Sequence, residues 1–178
     1  MDYVIAQVNI GKLRAPLDSA QLAGFVVALD PVNALADAAP GFIWRLQTED
    51  GNATAVRAFD WLQDGGHGVL LNMSVWESVE TLAAFVYSDE HKRVLRRRRE
   101  WFEPMTQAYT ALWWVPRGHI PGTGEAEEAI RLLRAHGPTG RAFTLHVHFP
   151  PPGSGDQSPR PGRSDWMCPG LNPGWHRR

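Results

Sequence analysis

"VWESVETLAAFVYSDEHKRVLRRRREWFEP", residues 75–104, passes from the end of a β-prone run into two helix starts and stops at a proline. Ser78 and Ser88 each stand where a side-chain oxygen can accept from a first-turn N–H, and Asp89 and Glu90 place negative charge at the positive end of a helix dipole. Leu82, Phe85 and Val86 mark the buried side of the first helix, and Pro104 ends the second. A strand leading straight into helices that carry one apolar side requires a layered α+β fold in which those helices lie on a sheet.

The strands of that sheet are legible on both sides of the stretch. "VLLNMSVW" (69–76) alternates Leu71, Met73 and Val75 with Leu70, Asn72, Ser74 and Trp76. "YVIAQVNI" (3–10) alternates Val4, Ala6, Val8 and Ile10 with Tyr3, Ile5, Gln7 and Asn9. Both therefore have one apolar and one mixed face. Between them, Asp18 is placed to cap a helix with Leu22, Phe25, Val26 and Leu29 on one side, and Asp30-Pro31 is expected to restart the chain as a second short helix. "FIWRLQTEDGNATAVRAF" (42–59) reads as a β-hairpin about Asp50-Gly51. After Pro104 come a strand "TALWWV" (110–115), a helix "GEAEEAIRLLRAHG" closed by Gly137, and a last strand "AFTLHVHF" (142–149).

The order β–α–β–β–α–β, followed by a helix and a strand, is the ferredoxin-like plan: an antiparallel sheet with helices on one face. Residues 1–150 form the domain. Residues 151–178, dense in Pro, Gly, Ser and Arg, read as a disordered tail. The second sheet face, left bare and apolar, calls for a partner sheet and hence a homodimer.

Composition narrows the function. At 178 residues and 43% apolar the chain fills one domain, and a net charge of −1 offers no general attraction to nucleic acid. Arg96, Arg97, Arg98 and Arg99 step about 100° apart and circle their helix instead of lining one side. Glu90, Glu100 and Glu103 dilute them, so a phosphate-tracking surface is not expected. The single cysteine, Cys168, excludes an intramolecular disulfide. With no leader-like N-terminus and no apolar run of membrane-spanning length, the expectation is a soluble cytoplasmic protein.

His91, Leu95, Arg98 and Phe102 recur at helical spacing beside Val94 and Trp101, which places His91 and Arg98 on the inward side, roughly 10 Å apart along one helix. A buried guanidinium needs a carboxylate, a carbonyl or a ligand anion. His91 and Arg98 are thus the candidate catalytic pair, one as base or ligand and the other as anion partner. Asn9, Asn72, Trp76, Trp101 and Trp113 are the candidate substrate-binding groups. His146 and His148 share a strand face at a spacing that metal sites use, but without a carboxylate nearby an exposed edge strand explains them and no metal is expected. His67 and His119 read as loop residues.

The segments "NIGKLRAPLDSAQLAGFVVALDPVNALADAAPGFIWRLQTEDGNATAVRAF", "LLNMSVWESVETLAAFVY", "HKRVLRRRREWFE" and "LWWVPRGHIP" closely resemble an uncharacterised family, domain of unknown function 3291, of the dimeric α/β-barrel superfamily. The resemblance covers about positions 3–150. It implies a ferredoxin-like protomer paired sheet to sheet, and no established reaction. "VWESVETLAAFVYSDEHKRV" is more distantly similar to the antibiotic-biosynthesis and heme-degrading monooxygenases. The heme-degrading members use an Asn on the first strand, a Trp on the helix after the strand, and a helical His as iron ligand. Asn9 matches the first. Phe85 stands at the Trp position, Trp76 matching only the strand-end Trp, and His91 falls one turn before the ligand position, where Leu95 stands. The function expected is therefore monooxygenase-like action on a hydrophobic or aromatic small molecule, with heme at His91 or no cofactor. The alternatives are a non-catalytic ligand-binding or sensing module, or a heme-binding protein.

Overall fold

The computed structural model describes residues 2–62 and 66–162. Four strands, β1 (Tyr3–Lys12), β2 (Phe42–Arg45), β3 (Val69–Trp76) and β4 (Thr110–Pro116), form one antiparallel sheet in the order β2-β3-β1-β4. This is the ferredoxin-like arrangement, and the fold is α+β. Helices α1 (Ala23–Asp37) and α2 (Val79–Val86) precede β2 and follow β3; then come α3 (Asp89–Arg96), the single turn α4 (Arg98–Trp101) and α5 (Thr123–His136). Short strands β5 (Val147–His148) and β6 (Arg160–Pro161) pair with each other. Among the described residues no helix is long and apolar enough to cross a membrane.

Strand alternation divides the interior. Val4, Ala6, Val8 and Ile10 of β1 join Leu71, Met73, Val75, Ala111 and Val115 in the main core, while Ile5 joins Trp76, Leu112 and Phe143 on the side of α1 and α2. Both serine caps form: Ser78 Oγ accepts from Thr81 N–H and Ser88 Oγ from His91 N–H. Gly137 closes α5 at φ 72°, a conformation that favours glycine.

The main core is where the structure departs most from expectation. Its sheet face is not bare. Ala126, Ala129, Ile130 and Leu133 of α5 lie against it, and Ala58 and Phe59 complete the cover. A partner sheet is not needed to bury these residues, which removes the reason for expecting a sheet-to-sheet homodimer. The hairpin of residues 42–59 is only half made for the same reason. Its tight turn forms, with Gly51 at φ 77° and its N–H bonded to Thr48, but the returning arm leaves the sheet to cover the core instead of pairing with β2.

Smaller differences have local causes. The segment 17–22 is spent in turns, with Leu22 N–H on the Ser19 carbonyl, so α1 starts at Ala23 and Asp18 caps nothing. The helix runs through Pro31 without restarting: Pro31 and Val27, whose carbonyl loses its partner, both face solvent, where water can serve it. The strand expected over 142–149 is reduced to one bridge between Phe143 and Leu112 and the two residues of β5. The segment expected to be a loose tail is bonded to the domain as far as Gly162, whose N–H meets the His146 carbonyl at 2.7 Å. Residues 163–178, with Cys168, lie outside the described residues.

Gly11 marks a close approach. A Cβ there would lie 2.5 Å from Cδ1 of Phe102, whose ring caps this end of the sheet. Gly11→Ala is expected to displace Phe102 and cost about 1–3 kcal/mol in chemical denaturation. Ser78→Ala is expected to cost about 1 kcal/mol through loss of the α2 capping box.

Candidate functional site

The strand register sets the helix-facing side of the sheet in rows. Trp76, Ile5 and Trp114 form one, Ser74, Gln7 and Leu112 the next, and Asn72, Asn9 and Thr110 the third. Rows lie two residues apart, about 7 Å. The first row belongs to the apolar cluster under α2, which includes Val79 and Leu82. Beyond the third row lies a separate cluster of Leu13, Leu22, Phe25 and Trp101, with Leu70, Val94 and Phe102 against it. Between the two is a polar band of Gln7, Asn9, Asn72, Ser74 and Thr110.

The band is covered unevenly: Ser74 is buried, Gln7, Asn9 and Thr110 are half-buried, and Asn72 is exposed. Phe25 and Ala36 are the only buried residues of α1, one in each cluster, so the middle of the helix spans between them. Asn72 is exposed even though it lies within β3 and on the helix side. Within the band, Trp76 Nε1–H donates to Ser74 Oγ (2.9 Å), Ser74 donates to Gln7 Oε1 (3.0 Å), and Asn9 Nδ2–H donates to Thr110 Oγ1 (2.9 Å). The Gln7 amide nitrogen, Asn9 Oδ1 and both polar atoms of Asn72 have no partner among the described residues. Arg45, opposite Ser74 on β2, brings no free charge: it is held by the Asp37 carboxylate at 2.8 and 3.2 Å and by the Gly51 carbonyl at 2.7 Å.

His91 reaches this band through its neighbours. Its ring packs on Phe85 at 4.8 Å, Phe85 stacks on Trp76 at 5.0 Å, and Trp76 donates to Ser74. Nδ1 lies 3.0 Å from the Val86 carbonyl. A carbonyl only accepts, so Nδ1 carries the proton and Nε2 presents a lone pair. Burial holds the His91 pKa below the ordinary histidine range, outweighing the bond to Val86, which acts in the opposite direction. At neutral pH the imidazole is uncharged and basic at Nε2.

The other expected site residues are elsewhere. The helix breaks at Arg97, and Arg98 turns away from His91: its guanidinium donates to the Ile10 carbonyl at 3.1 Å and lies 3.9 Å above the Tyr109 ring. The partner that this arginine required is thus a backbone carbonyl and an aromatic face, and the expected His91–Arg98 pair does not form. Trp101 is buried in the cluster beneath α1, with Arg97 5.0 Å above its ring. Trp113 points to the opposite side of the sheet, into the core under α5, where its Nε1–H finds no partner among the described residues. Trp76 is buried and acts as a support for Phe85 and Ser74; it does not form an open wall. Asn9 and Asn72, cross-strand partners, do come together.

Gln7, Ser74 and Thr110 were not singled out from the sequence. Their signal was the polar half of each alternating strand, which becomes a site only once the register sets the strands side by side. Among the described residues no three His, Cys, Asp or Glu side chains gather as a metal site. His148 lies on β5, its pKa lowered by burial, and His119 pairs with Glu125 at 2.9 Å on the surface.

The fold and this sequence together define a family: the chain belongs to the domain of unknown function DUF3291, whose model matches residues 4–159. No curated protein matches it. Among solved structures it is similar to SnoaB, a cofactor-independent oxygenase from Streptomyces nogalater, at 12% identity and a TM-score of 0.42 over 68% of this chain and 100% of that one. It is also similar to NE2512, a protein of unknown function from Nitrosomonas europaea, at 12% identity and a TM-score of 0.40 over 67% and 96% of the two chains. Likeness at this level assigns no reaction.

The state of His91 sets a pH dependence. Its pKa is lower in the folded than in the unfolded chain, so below about pH 6.5 the unfolded chain binds a proton that the folded one refuses, and stability falls as the pH drops. His91→Gln should flatten this part of the profile, leaving a fall of the same sign from His148, as thermal melts between pH 7.5 and about pH 5 would show.

Proposed function

We propose that the polar band between the sheet and the middle of α1 binds an uncharged small molecule, and that His91 acts on it as general base. The observation that carries this reading is the combination of a neutral imidazole with a free Nε2 and a set of unengaged amide groups linked to it through Phe85, Trp76 and Ser74, on a band that is open at Asn72. The amides would hold the carbonyl or hydroxyl edge of the ligand, and Phe85 and the half-buried side of α1 its apolar body. His91 would take a proton from an acidic C–H or O–H, leaving an electron-rich anion. Monooxygenase-like chemistry would follow if that anion then gave up electrons to dioxygen and captured it as a peroxide, which loses water to leave one oxygen atom on the oxidised substrate; a hydrophobic or aromatic substrate suits both the band and that step. The site belongs to residues 1–150. A single cysteine suits a reducing compartment such as the cytoplasm.

Heme is the weaker alternative. His91 has the free Nε2 and the backbone-bonded Nδ1 of a metal-ligating histidine. A porphyrin also brings two carboxylates, and the arginines nearest the band, Arg45 and Arg98, are already engaged. The residues of the band therefore fit a neutral ligand better than a dianionic one.

The test is a thermal-shift screen of uncharged aromatic compounds, followed by oxygen-uptake assays on those that bind. Asn72→Leu should weaken binding by about 1–2 kcal/mol with folding intact. His91→Gln should abolish oxygen uptake while binding persists. Binding without turnover in the parent would support a sensing module. Binding indifferent to both substitutions, or a Soret band with hemin that His91→Ala removes, would overturn the reading.

A further inference from the structure

The cover over the second sheet face is built to stay closed. Glu127 of α5 accepts two bonds from the segment that crosses the face: Oε1 from the Phe59 backbone N–H at 2.8 Å, and Oε2 from Trp61 Nε1–H at 2.9 Å. Arg131 and Arg134 lie 4.4 and 5.2 Å from the Trp61 ring, and Arg134 also donates to the Ala108 carbonyl at 2.8 Å. Phe59 is fully buried at φ 60°, the one described non-glycine residue with positive φ. A bulky residue stays in that conformation only where its surroundings hold it, and here the Glu127 carboxylate and the sheet do so.

The outside of the cover is largely polar, Trp61 being 37% exposed between Arg131 and Arg134. Glu127 lies 3.8 Å from Arg131, and Glu128 lies 3.7 Å from Arg141. The sheet's apolar face is thus spent within the chain, and among the described residues of its cover Trp61 is the one large apolar side chain left exposed.

We infer that α5 and residues 56–62 replace, within one chain, the partner sheet of a dimeric barrel, and that Glu127 is the residue that latches the replacement shut. The protein does not associate through this face while the latch holds. With the latch broken, the occupant that fits is a second copy, since an antiparallel sheet with the same apolar residues is the surface complementary to it.

Light scattering across a range of protein concentrations should give the mass of one chain, with a melting temperature independent of concentration. The exposed apolar side of α1, where Val26 and Val27 are 42% and 75% exposed, offers a separate contact, so Val27→Asp serves as control. A two-chain mass that Val27→Asp abolishes would place that contact on α1 and leave the inference standing. A two-chain mass that persists in Val27→Asp would overturn it. Glu127→Ala should speed amide exchange over residues 56–62 by about tenfold or more and make association concentration-dependent. Unchanged exchange with a one-chain mass would show that Glu127 is not the latch.

Discussion

Everything in this protein hangs on the two-residue period of β1. The strand is central, bonded to β3 on one side and β4 on the other, so each of its side chains must face one of two interiors. Val4, Ala6, Val8 and Ile10 turn one way and are almost wholly buried; Ile5, Gln7 and Asn9 turn the other, and only Ile5 is. A slip of one residue would exchange the sides, driving Gln7 and Asn9 into the α5 core and leaving four apolar residues over the polar band. The division into a dry side and a partly wet one is therefore a consequence of pairing as much as of composition.

The two sides do different work. The dry side supplies stability: α5 and the segment from Val56 to Leu62 seal it with apolar residues, and a carboxylate holds the most strained position. The wet side carries the polar groups on which the proposed function rests. The amides of Gln7 and Asn9 are oriented from within the sheet, through Ser74 and Thr110, so their free atoms are fixed in direction before any ligand arrives. The nearest arginines are occupied by their own partners, and burial keeps the imidazole uncharged. The result is a surface rich in hydrogen-bonding groups and poor in net charge, which favours ligands of the same character.

Much of the fold was legible because its signals are local. Serine caps at 78 and 88, the closing Gly137 and the alternation in β1 and β3 act over a few residues, and the structure forms each of them. What failed depended on distant partners. Nothing near Phe59 announces that residues 54–59 will leave β2; their partners are the core under α5 and Glu127, which is sixty-eight positions on. Likewise Arg98 and His91 have the spacing of one helix face, and only the break at Arg97, together with the carbonyl of Ile10 and the ring of Tyr109, separates them. Asn9 and Asn72 could be named individually, but not paired with Gln7, Ser74 and Thr110 until the register was known. The tryptophans were the least legible, since a large aromatic at a core position and one at a pocket wall obey the same periodicity.

Because α1 is buried only at Phe25 and Ala36, it behaves as a beam clamped near its two ends. Its middle, where Pro31 already lacks one backbone bond, can bow outward without breaking a fully buried contact. A ligand taken up over the polar band would then work against the stiffness of a helix and not against a rigid wall. Ligands of different thickness would meet nearly the same resistance, so selection among them falls to the fixed amide edge below and not to the shape of the roof.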